Sequence, residues 1–194
     1  MSEPTATRSF DIDPLLARRS SPRAFSATDT LNQDLLGPAF EAARWAPSSG
    51  NSQPWSFVVG FRGDDTFGKI VESMATGNSV WAAHASAVVA CVARMENEEG
   101  KALSHSVYDL GQAVAHFSVQ ATAEGLIVHQ MAGFDSQALH ASLGLDARHQ
   151  VITLFAVGTP GDPADLPEKL REREALPRVR KPLAEVVTGS VSYA

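Results

Sequence analysis

The chain has 194 residues, 44% of them hydrophobic, and a formal net charge of -6; this supports one compact domain with a sizeable core and argues against a general nucleic-acid binder. A single cysteine, Cys91, excludes an intrachain disulfide and fits a reducing, cytoplasmic setting. The N-terminus MSEPTATRSF lacks an apolar signal core, and no apolar run reaches membrane-spanning length, so no membrane association is expected. Residues 1–10 read as a flexible N-terminus and 11–158 as the body of the domain. Asp13 is placed to cap a short helix that begins at Pro14, carries Leu15 and Leu16 and runs into the basic pair Arg18-Arg19. After a polar loop to about Thr30, a second helix is predicted from about Asn32 to Trp45, kinked or restarted at Pro38.

The segment AARWAPSSGNSQPW ends that helix at Pro47 and turns through Ser48, Ser49, Gly50 and Asn51 into the apolar strand WSFVVGF. A helix over TFGKIVESMA and a strand at Ala87–Ala93 follow. Tyr108 to Glu124 is rich in alanine and apolar on most sides, which predicts a central buried helix, with Gly111 and Ala115 small enough for close approach. Leu126–His129 reads as a short strand, Ser136–Leu143 as a helix and VITLFAVG as a fully buried strand. The alternation gives an α+β or α/β class, a central sheet covered by helices. Beyond Thr159, residues 159–194 form a Pro- and Arg-rich arm of the same domain. It cannot bury much of itself and is expected to lie across another surface, with a partner subunit the natural candidate.

The usual catalytic constellations are missing. There is no HExxH, CxxC or GxSxG, the six histidines show no metal-ligand spacing, and the dinucleotide fingerprint GxGxxG is absent. Asp109 and Glu124 flank the central helix without forming an acid–base pair, and His116 and His129 stand out only because each sits on an apolar element. What is left is a set of anion-binding groups: Arg18-Arg19-Ser20 after the first helix and Pro177-Arg178-Val179-Arg180-Lys181 in the tail. Guanidinium forks bind phosphate oxygens in pairs and a hydroxyl adds a donor. Composition alone reads both clusters as solvated surface; the serine/asparagine turn shifts the balance toward a site. Together the three segments offer partners for a phosphate, a polyol and a ring edge, the parts of FMN.

RRSSPRAF, AARWAPSSGNSQPWSFVV, YDLGQAVAHFSVQATAEGL, HQMAGFD and LPEKLREREALPRVRKPLAEVV, in that order, resemble the FMN-dependent nitroreductase family from about Asp13 to Val187. The resemblance implies an α+β three-layer sandwich with a mostly antiparallel sheet and a C-terminal arm on the partner subunit. It implies a homodimer with shared FMN sites and NAD(P)H as co-substrate. Arg18, Arg19 and Ser20 would contact the phosphate and ribityl chain, in a register open by one residue because of the extra residue before Pro22-Arg23. Pro47, Ser48, Ser49, Asn51 and Gln53 would approach the isoalloxazine of the other subunit. Met131, Ala132 and Gly133 match the segment whose backbone N–H points at flavin N5, and Arg178 and Arg180 match the basic residues that close over the phosphate.

The implied chemistry is ping-pong hydride transfer to nitroaromatic, quinone or activated-alkene acceptors, with no side-chain catalyst and no metal. Trp81, His84, Phe117, Met131 and Phe134 are candidates to line the open ring face. Two departures from the family pattern, Ala132 where many members carry Glu and Val80-Trp81-Ala82-Ala83-His84 where some carry Asn and Lys, keep two alternatives open. One is a flavoenzyme of the same fold with other chemistry (dehalogenation, flavin fragmentation or azoline oxidation). The other is a flavin-binding protein with little turnover.

Overall fold

The computed structural model describes residues 10–190, so the predicted flexible segment lies, apart from Phe10, outside the described residues. Four strands form one sheet in the order β1-β2-β4-β3: β1 (Trp55–Phe61), β2 (Ala87–Arg94), β3 (Ile127–Met131) and β4 (His149–Gly158). All three pairings are antiparallel, which makes the class α+β. Antiparallel strands often alternate apolar and polar residues, but β2 is apolar throughout because layers cover both of its faces. Ala87, Val89, Cys91 and Ala93 face one core cluster, and Val88, Ala90 and Val92 face the other. A bulge opposite Cys91/Val92 resets β4, so that Val151 and Leu154, three residues apart, face the same cluster.

The first cluster is covered by α2 (Gln33–Arg44) and by α5 (Ser106–Ala123), the predicted central helix. Phe40, Phe57, Phe117 and Phe155 link helix to sheet, with ring centroids 4.6–5.5 Å apart in successive contacts. On the opposite face lie α3 (Asp65–Glu72), α4 (Thr76–Ala82) and α6 (Ser136–Ser142). The short helix α1 (Pro14–Arg18) starts as predicted, with the Leu15 N–H donating to the Asp13 carboxylate at 2.8 Å. α2 does not restart at Pro38 but is continuous through it; Pro38 sits on the exposed side, where the helix gives up one backbone bond in contact with solvent. The sequence reading had no counterpart for α4, a seven-residue helix without a side-chain cap. Among the described residues no helix is long and apolar enough to cross a membrane.

The chain leaving β4 is stitched to the loop after α1. Ser26 donates to the Thr159 carbonyl at 3.1 Å and Gly161 to the Ala24 carbonyl at 2.8 Å. Only glycine fits at 161, since a Cβ there would lie 2.4 Å from the Phe25 backbone. The tail then forms α7 (Glu168–Glu174) and the short α8 (Leu183–Val186), neither of which buries a residue. Its first half returns to the N-terminal segment of its own chain, through Glu174 and Arg178.

Candidate functional site

The two basic clusters, about 160 residues apart in sequence, meet in space. Arg178 donates from Nη1 to the Ala17 carbonyl at 2.7 Å and from Nη2 to the Arg19 carbonyl at 2.9 Å. Those are end groups of α1 with no helical partner, so the guanidinium caps the helix and fixes the tail beside it. Arg19 is half-buried next to Arg178 and Arg180. Burial, and after it the charges of those two residues, pull its pKa below the ordinary arginine value. Five arginines, Arg19, Arg23, Arg173, Arg178 and Arg180, line a cavity of about 510 Å³ with Ser20, Ser21 and Glu174, so the lining is net positive. Arg18 is exposed and borders an adjoining cleft of about 310 Å³ beside Thr122 and Gly125, which shares Arg19, Ser20 and Glu174 with the first. Arg19, with Ser20 and Ser21, shares the larger cavity with the tail arginines, whereas Arg18 borders only the smaller cleft.

Arg23, not singled out from the sequence, pairs with Glu174 at 2.9 Å and lies 6.0 Å from the Trp81 ring centroid. The Pro22 carbonyl beside it accepts from Nδ1 of His129 at 3.0 Å, and the imidazole packs on Trp81 with centroids 4.4 Å apart. Burial is the main reason the His129 pKa falls below its usual value. The signal for Arg23 was present in the sequence as the SSPR spacing; the role of Glu174 was not, because it depends on the path of the tail.

The Pro47–Gln53 turn forms as predicted, but elsewhere. Gly50, Asn51 and Gln53 take positive φ values of 59°, 55° and 44°, two of them without the freedom of glycine. Such residues cost on the order of 1–3 kcal/mol each and persist where the surroundings hold them. Here the buried Asp109 of α5 accepts the Ser49 N–H at 3.0 Å, the Ser48 hydroxyl accepts the Gln53 N–H at 3.0 Å, and Gln112 donates to the Pro47 carbonyl at 3.4 Å. Asp109 is therefore the brace of the turn, a role that its sequence position did not reveal. Pro47, Ser49, Asn51 and Gln53 are exposed. Ser49 borders a hollow of about 240 Å³ with Lys101 and His105, distinct from the arginine cavity.

The third segment leaves β3 at Met131, which is buried and whose carbonyl accepts the Thr153 hydroxyl at 2.9 Å. Ala132 and Gly133 are exposed, and neither N–H is taken by an acceptor among the described residues. The Gly133 carbonyl instead accepts from the Ala75 N–H at 2.9 Å and from Asn78 Nδ2 at 3.0 Å. Of the aromatics expected along a ring face, Phe117 and Trp81 are core residues, drawn inward because each fills a layer beside the sheet; His84 is exposed and Phe134 half-buried. Cys91 lies fully inside the sheet, its thiol pushed far up by burial, and no metal-ligand cluster exists among the described residues.

The α+β sandwich thus carries an arginine-lined cavity and, on the exposed loop after β3, two backbone N–H groups without an acceptor among the described residues. Residues 16–159 match the nitroreductase family. A crystallised oxidoreductase containing FMN superposes with a TM-score of 0.91, at 31% identity and 98% coverage of both chains. A Desulfovibrio desulfuricans protein solved in complex with FMN shares the fold at a TM-score of 0.72, with 23% identity over 93% of this chain and 99% of that one. An uncharacterized 15.4 kDa protein of the ask 5′ region in Mycolicibacterium smegmatis is 33% identical over 138 residues, 67% of this chain and 92% of that protein. The chain belongs to the nitroreductase family of oxidoreductases.

Proposed function

We propose that this protein binds FMN in the arginine cavity and reduces small oxidised acceptors, nitroaromatics, quinones or activated alkenes, at the expense of NAD(P)H. The observation that carries this reading is the convergence of Arg19, Arg178 and Arg180, whose mutual repulsion in a half-buried cavity calls for an anion. The residues fit the cofactor: Arg19 and Arg180 would hold the phosphate with Ser20 and Ser21, while Arg178 holds the frame that places them. Ala132 and Gly133 would aim their N–H groups at the ring edge and hold negative charge there, as oxyanion-hole donors do. FMN, when bound, supplies hydride acceptance from the nicotinamide and delivery to the second substrate. The chain's own tasks are grip, orientation and the exclusion of water.

A homodimer with two shared sites accounts for the Pro47–Gln53 turn. Within one chain the turn and the arginine cavity border different hollows, yet the turn's polar side chains are exposed and its strained backbone is firmly braced. The neighbouring outer face of α5 exposes Val107 and Tyr108 beside Gly111 and Ala115, an apolar strip suited to a second copy. Anaerobic mixing of the purified yellow protein with NADH and with NADPH tests the reading. Bleaching of the flavin absorbance by one of them, and its return on adding a nitroaromatic or quinone, is expected. A protein that purifies without flavin and takes none up, or whose bound flavin neither nucleotide reduces, would refute it. A stable monomer that still holds FMN would refute the shared sites.

A further inference from the structure

Asn78 stands in the first turn of α4, and its side chain reaches across to the loop after β3. With the Ala75 N–H it puts two donors on the Gly133 carbonyl, which occupies both lone pairs and fixes the peptide plane joining Gly133 to Phe134. That plane sends the Phe134 N–H to the Ala132 carbonyl at 3.2 Å. In a trans peptide the C=O and N–H point in opposite directions, and no cis bond occurs among the described residues. With the Ala132 oxygen engaged toward Phe134, the Gly133 N–H must face away, into the open. The next residue closes the loop: Asp135 donates to the Ser73 carbonyl at 2.8 Å. Glycine at 133 is part of the same device, because a Cβ there would lie 2.9 Å from Asn78 Nδ2.

We infer that Asn78 is a positioning residue that sets the direction of the Gly133 N–H toward the flavin edge. The inference rests on the FMN reading. In this role Asn78 acts through the Gly133 carbonyl it holds.

Asn78→Asp removes the donor with little change of shape, and Asn78→Ala serves if the aspartate variant does not fold. In the FMN-free protein, amide exchange at Phe134 and Asp135 should quicken about tenfold, the effect of one lost hydrogen bond on local opening. In the FMN-loaded protein, affinity should fall by roughly three- to tenfold. The ¹⁵N resonance of N5 in labelled FMN should move downfield as its hydrogen bond is lost. Gly133→Ala should weaken binding in the native background and far less in the Asn78→Ala background, a non-additivity that marks the two as one unit. A changed affinity and N5 resonance with unchanged exchange would overturn the inference in favour of direct ring contact. Changed exchange with an unmoved N5 resonance and affinity would reduce Asn78 to a structural brace, and additive effects of the two substitutions would do the same. Wild-type protein that takes up no FMN would overturn the functional reading itself, and this inference with it, whatever the exchange rates.

Discussion

The arginine cavity and the Pro47–Gln53 turn carry comparable polar groups but are built in opposite ways. The cavity draws on both ends of the chain, joined by Arg178 on the last carbonyls of α1 and by Glu174 on Arg23. The turn is made of seven consecutive residues, three of them, Gly50, Asn51 and Gln53, at positive φ, braced by Asp109 and Ser48. In the cavity like charges are concentrated, with Arg19 beside Arg178 and Arg180. In the turn neutral polar groups stand on a strained frame. Binding strength should therefore reside in the first region and the shape of the ring pocket in the second.

The largest effect should come from the cavity. Arg19→Ala is expected to weaken FMN binding by roughly 10- to 100-fold, the loss of a charge-assisted contact, and Arg180→Ala should act in the same direction. Titration of the FMN-free protein with FMN at low and high salt would measure it, and the wild-type salt dependence should flatten in each variant. Equal affinity in Arg180→Ala and wild type would remove Arg180 from the site.

Breaking the turn should cost stability before affinity. Asp109→Ala leaves the Ser49 N–H without its acceptor and should destabilise the protein by about 1.5–3 kcal/mol, whereas Asp109→Asn keeps an acceptor and should cost less. Denaturant unfolding would rank the two, and an alanine variant as stable as wild type would show that Asp109 braces nothing.

A smaller effect concerns pH. The His129 pKa lies below its unfolded value of about 6.5, so the unfolded chain takes up the proton first. Stability should be level above that value, decline as the pH falls below it, and level again once the folded form also protonates. Arg23 and Glu174 face the ring with opposing influence, and the Pro22 carbonyl favours the protonated form; burial outweighs them. In His129→Gln the part of the decline between pH 6.5 and the folded pKa should disappear; a slope shared by both proteins would assign it to other groups.

The smallest expected effect is a null. Arg171 is exposed on α7 and outside the cavity, so Arg171→Ala should change FMN affinity by less than about twofold. A large loss there would mean that non-specific positive charge, and not the cavity, holds the anion.

Much of this was readable from local chemistry. Asp13 and Pro14 announce a helix start, the apolar run Ala87–Ala93 a strand, and PSSGNSQP a turn, because capping, strand pattern and turn composition are set by residues close in sequence. The tolerance of α2 for Pro38 was less legible, since it depends on which side of the helix meets solvent. α4 was invisible for a related reason. Its seven residues carry no side-chain cap, and its place is decided by Trp81 and Ala82 buried against the sheet.

By itself, then, the sequence determined most strands and helices, the turn at Pro47–Gln53 and the presence of two arginine clusters, each through chemistry local to a few residues. The tertiary structure alone decided that Arg19 and not Arg18 faces Arg178 and Arg180, that Asp109 serves the turn, and that Asn78 holds Gly133. These are contacts between residues 55 to about 160 positions apart. The local pattern at either end does not encode them; they exist because the sheet order brings β3 beside β4 and the exit of β4 beside α1.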